Sequence, residues 1–109
     1  MNEHDPTWYD RQYNNRALIP EHPAIFQRWE SESQSVRDRL ADRAALDVPY
    51  NDAGRTDPTQ QLDIFGPVPA SSPAPVLVFI HGGYWRALDK RDLAFVVGPF
   101  VDAGALVVV

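Results

Sequence analysis

The chain has 109 residues, 44% apolar and 23% charged, with ten prolines, no cysteine and a formal net charge of −5. That length suits one small globular domain, able to bury roughly 65% of its unfolded surface. The missing cysteines exclude a disulfide scaffold, a thiol nucleophile and any cysteine-based metal site, and the acidic balance argues against a nucleic-acid partner.

The first stretch, MNEHDPTWYD, is polar and acidic, unlike a signal or transit peptide. No apolar run approaches the roughly 20 residues of a membrane span, so a cytoplasmic protein without membrane contact is expected. Residues 1–45 are polar, spotted with aromatics and helical in pattern. From Pro23, a good first-turn residue, Ile25, Trp29, Val36, Leu40 and Ala44 recur on one face. Arg28 and Glu32 stand at ion-pair spacing, and Arg37, Asp38, Arg39, Asp42 and Arg43 read as a solvated face. Residues 46–75 read as a short hairpin and a linker. Its strands are expected at 46–50 and 61–65, separated by the turn formers of 51–58, with a proline-rich surface loop at 66–75.

Residues 76–109 read as a βαβ unit with parallel strands. The run Val76, Leu77, Val78, Phe79, Ile80 is continuously apolar, which fits a strand covered on both faces. A loop over 81–88 follows. Asp89 is the expected cap of the next helix, with Asp92 in capping-box position, and Leu93, Val96, Val97 and Phe100 form its stripe. Pro99 is expected to kink or shorten that helix. Gly104 suits its C-terminal end, and residues 106–109 open a second buried strand. An apolar strand at the chain end implies a sticky sheet edge, so the sequence reads as truncated.

The residues that carry chemistry are His81, Gly82, Gly83, Tyr84 and Trp85, directly after the apolar strand. Two glycines at a strand end let the backbone turn sharply, with no side chain between its N–H groups and a ligand. N–H groups converging there can hold a developing oxyanion, each worth roughly 10²–10³ in rate.

HGGYW after VLVFIHGG resembles the α/β-hydrolase superfamily, in the branch of kynurenine formamidases (arylformamidases) and related esterases. Tyr13 to Ala17 with Pro20, His22 and Pro23 resemble that branch's N-terminal segment. Residues 46–50 and 62–65 resemble its first hairpin. The resemblance implies an α/β fold, namely the N-terminal part of one α/β-hydrolase domain: leading helix, short hairpin and first βαβ unit. Gly83 and Tyr84 would give the oxyanion-hole N–H groups. Gly82 would permit the turn, Trp85 would pack at the pocket mouth and His81 would support the loop. The serine nucleophile in its G-x-S-x-G turn, the acid and the catalytic histidine follow later in that family's chain order. No G-x-S-x-G occurs around Ser31, Ser33, Ser35, Ser71 or Ser72, so the 109 residues hold no triad and are expected to be inactive alone.

The implied full-length activity is hydrolysis of N-formylkynurenine in tryptophan catabolism, a small-molecule reaction needing no cofactor, with a homodimer left open. A carboxylesterase on small or aryl esters is the alternative. A non-catalytic product binding a partner through an open sheet edge is another. Blander readings stand beside these. His81 anchors its loop sooner than it acts as a base, and the three histidines lack metal-ligand spacing. A phosphate cradle at Gly82 and Gly83 lacks its G-x-G-x-x-G or Lys-Ser/Thr partner. Tyr84 and Trp85 line an aryl pocket or simply pack, with equal weight. Trp29 belongs to the core, Asp47 and Asp63 to turn or hairpin roles, and Asp89 to a helix cap.

Overall fold

The computed structural model describes residues 4–51, 57, 59–70, 73–83 and 87–109. Three helices lead: α1 (Pro6–Tyr13), α2 (Asn15–Leu18) and α3 (His22–Arg39). Asp5 caps α1, its carboxylate accepting the N–H of Trp8 at 2.8 Å. On α1, Trp8 stacks against His4 with ring centroids 3.6 Å apart, and Tyr9 stacks against Tyr13.

Helix α3 runs as its apolar spacing predicts but ends at Arg39. Ala44, expected on the helix, instead opens β1 (Ala44–Pro49), after a 3-10 turn over Ala41–Arg43. Leu40 is buried, and Trp29 stacks on Phe95 at 5.6 Å, a packing role as expected. Arg28 and Glu32 pair at 2.8 Å in full solvent. The neighbouring charges are more than a solvated face. Arg37 donates to the carbonyl of Arg91 at 2.6 Å, Arg39 pairs with Asp102 at 3.0 Å, and Arg43 donates to the carbonyl of Pro67 at 2.7 Å.

The sheet comprises β1, β2 (Gln61–Phe65), β3 (Val76–Val78) and β4 (Leu106–Val108) in the order β1-β2-β4-β3. β1 and β2 form the expected antiparallel hairpin, with an irregular register between Ala45 and Val48. β4 lies antiparallel to β2 and parallel to β3. Two expectations change here. The last strand is not a sheet edge, because β2 and β3 satisfy both its sides. β3 is an edge instead, and its run is not covered on both faces: Leu77 and Phe79 pack against the core, while Val76, Val78 and Ile80 are 63%, 60% and 85% exposed. The strand also ends at Val78, although the N–H of Phe79 still reaches Val108 O at 2.8 Å.

Between β3 and β4 the helical segment splits into α4 (Lys90–Leu93), a 3-10 turn over Ala94–Val96 and α5 (Val97–Asp102). Pro99, the expected breaker, sits as the third residue of α5, where a helix does not need its N–H. The break itself lies upstream and is filled from α3. In an unbroken helix the N–H of Phe95 would bond the carbonyl of Arg91. Here the N–H goes to Ser33 Oγ at 3.0 Å, and the carbonyl accepts from Arg37. Ser33 is fully buried for this purpose.

The capping box expected at Asp89 and Asp92 is present. Replacing Asp89 with alanine is expected to cost about 1 kcal/mol, seen as a lower urea midpoint at unchanged slope. Gly104 ends α5 at φ 98°, a conformation that favours glycine. Phe65, Leu40, Val97, Val101 and Val107 form the buried core between the sheet and these helices.

Candidate active site

At the C-terminal ends of the parallel pair β3 and β4 lies an open cleft of about 400 Å³. Ligands of open α/β sheets bind outside the carboxyl ends of the strands. Its apolar wall comes from Tyr50, Leu62, Val78, Ile80 and Val109; Thr59, Gln61, His81, Asp89 and Lys90 are its polar lining residues. The exposed face of β3 is therefore a wall of the cleft.

The glycine-rich loop starts at the rim of this cleft. Gly83 sits at φ 127°, and a Cβ there would lie 1.9 Å from the carbonyl oxygen of Ala87. Its own carbonyl accepts the N–H of Ala87 at 3.3 Å, closing the turn. Only glycine fits such a contact. Gly82 is different: among the described residues a Cβ would meet nothing within 4 Å. The steric demand for glycine in the turn thus falls on Gly83 rather than Gly82. The ring Nδ1 of half-buried His81 lies 2.8 Å from the carbonyl of Gly82. A carbonyl only accepts, so Nδ1 carries the proton and the ring braces its own loop. Tyr84 and Trp85 lie outside the described residues.

The loop leaves through Leu88, in the left-handed region at φ 74°, into capped α4. Beneath it is a charge network that the residue patterns did not disclose. The ammonium of Lys90, whose side chain is 9% exposed, bonds Asp63 Oδ1 at 2.8 Å and also Asp47 Oδ1. Asp63, 1% exposed, also accepts the backbone N–H of Asp47 at 2.8 Å. Asp47 stands at φ 55° in the irregular stretch of β1 and takes a second cation, Arg91, at 3.2 Å. Two carboxylates and two cations balance. Asp47 and Asp63, expected in turn or hairpin roles, stand in the two hairpin strands and also bind the start of α4 to them.

The Lys90 hydrogen bond holds the Asp47 carboxyl below its ordinary 3.8, against the effect of desolvation. Burial alone would lower the pKa of Lys90, but its bonds to Asp47 and Asp63 outweigh that and raise it above 10.5. Folded Asp47 binds fewer protons than unfolded Asp47 near pH 3.8, so its stabilisation fades as pH falls through the lowered folded value. The Lys90 contribution is complete below pH 10.5 and fades as pH rises through the raised one. The urea midpoint is expected to be flat from about pH 5 to 9 and to fall on both sides; Lys90→Met should shrink the alkaline fall, and an unchanged alkaline limb would refute the assignment.

Among the described residues, no group of three His, Asp or Glu is placed to hold a metal, and no helix is long and apolar enough to cross a membrane.

The mixed four-stranded sheet with its flanking helices has a hydrolase-like structural neighbour. A crystal structure of a Silicibacter protein assigned as a thioesterase superposes on 92% of this chain with a TM-score of 0.74 and 29% identity, over 36% of its own chain. In sequence the chain is similar to kynurenine formamidases. It is 36% identical to the Danio rerio enzyme over 76 residues, 70% of this chain and 25% of that one. The Drosophila melanogaster enzyme is 40% identical over 50 residues, 46% of this chain and 17% of that one. The chain spans a quarter or less of the length of these curated relatives. No model of a known protein family matches it. Sequence and structure together support a kynurenine formamidase-like hydrolase.

Proposed function

We propose that this chain is the oxyanion-loop portion of a serine hydrolase that cleaves N-formylkynurenine to kynurenine and formate. The observation that carries the reading is the Gly83 turn, two residues past His81 of the strand-end cleft, in a chain similar to kynurenine formamidases. A serine Oγ would attack the formyl carbon. The N–H groups of Gly83 and Tyr84 would hold the negative oxygen of the tetrahedral intermediate, the aryl amine would leave, and water would release formate. The nucleophile, acid and histidine would come from polypeptide beyond these residues, since none of the serines here has the G-x-S-x-G setting. The apolar cleft wall suits an aryl group.

An esterase reading is favoured by one observation, the thioesterase assignment of the structural neighbour. An oxyanion hole does not separate ester from amide. Comparing kcat/KM for N-formylkynurenine and p-nitrophenyl acetate on the intact protein decides between them. A preference for the formamide supports the proposal; hydrolysis of the ester alone replaces it with the esterase.

A further inference from the structure

We propose that Lys90 is a positioning residue of the oxyanion loop, pinning the loop's exit to the centre of the sheet so that the Gly83 amide is held in place; this rests on the hydrolase reading above. The start of the loop is secured by the sheet, through Phe79 N–H on Val108 O. Among the described residues its exit has no such ladder. Leu88 occupies the left-handed region, which costs a non-glycine residue about 1 kcal/mol or more and persists only where the surroundings impose it. Two residues on, Lys90 reaches beneath the loop to Asp63, whose backbone is bonded in both directions to Val109 at 2.9 Å. The path from sheet to turn is short. Asp63 fixes Lys90, Lys90 fixes the start of α4, and Ala87 just before it lies against Gly83 so closely that no Cβ fits between them.

α4 is a single turn of four residues, so Lys90 lies in its last turn as much as in its first and no helix dipole accounts for its place. Helix formation therefore does not explain it; its two carboxylate partners do. An arginine or methionine at this position could not place one compact ammonium between Asp47 and Asp63.

The test has two arms on the intact protein. In Lys90→Met, amide exchange over residues 79–89 is expected to quicken by about tenfold or more while residues 97–108 stay protected. With N-formylkynurenine, kcat per active site, counted by fluorophosphonate titration, is expected to fall about ten- to a hundredfold at nearly unchanged KM. A merely structural lysine would reduce the number of titratable sites and leave kcat per site alone; that outcome, or unaltered loop exchange, overturns the proposal. If Lys90→Met does not fold, Asp47→Asn removes one partner at a half-exposed carboxylate, and the same two shifts are expected at smaller size; their absence overturns the proposal equally. Failure of hydrolase activity in the unmutated protein would sink the hydrolase reading, while the exchange arm would still decide whether Lys90 holds the loop.

Discussion

Gly83→Ala is expected to lower kcat by roughly 10²–10³, the loss that follows removal of one oxyanion donor. The added Cβ would stand 1.9 Å from the Ala87 carbonyl oxygen, at a φ of 127° that L side chains rarely adopt. Relief requires the backbone at 83 or 87 to move, and either movement carries the Gly83 amide away from where the oxyanion would form. The core lies elsewhere, so the expected stability loss is modest, about 1–3 kcal/mol from backbone strain. Gly82→Ala is the paired control: with no atom of the described residues within 4 Å of its Cβ position, the change is expected within about 0.5 kcal/mol in stability. Steady-state kinetics on the two variants checks this, and equal activity in both would remove Gly83 from the site.

Asp63→Ala is expected to destabilise the fold by about 3–5 kcal/mol, the range for breaking a buried ion pair from one side. The substitution leaves Lys90, 9% exposed, with only Asp47, and takes the acceptor from the Asp47 N–H. The double variant Lys90→Met with Asp63→Leu should recover most of that loss, because a buried pair replaced by apolar groups of similar volume is close to neutral. Urea unfolding of the three proteins measures it. A single-variant loss under about 1 kcal/mol would mean that water already reaches the network.

Local features of this fold were legible from residues alone. Strand β2 over Gln61–Phe65, the Asp89 and Asp92 cap and the Gly104 terminus each depend on neighbours within a few positions, and the parallel pairing of β3 with β4 follows from the strand–helix–strand order of one short segment. What sequence reasoning missed depends on contacts far along the chain. The splitting of the helix after α4 needs Ser33 and Arg37, 62 and 54 residues from the groups they bond. The place of β4 inside the sheet requires the hairpin to pair with it, and no residue type signals that pairing.

The Lys90 network spans 27 and 43 residues, yet it left two signals. Asp47 and Asp63 each interrupt an expected apolar strand, where a charge is unfavourable unless a cation meets it. Lys90 directly follows the Asp89 cap, where no capping role calls for a cation. Read together, a cation out of place and two anions out of place identify one another. Gly83 and Gly82 show the reverse limit: the motif marked both glycines, and only the folded loop separates the one that has no room for a side chain.

The most direct measurement is to label the intact protein with a fluorophosphonate and map the modified residue. One modified serine lying outside residues 1–109 is expected, with label uptake slowed in Gly83→Ala, because the same oxyanion hole assists phosphonylation. Label on Ser31, Ser33, Ser35, Ser71 or Ser72, or hydrolysis of N-formylkynurenine by a protein that takes no label, would contradict it.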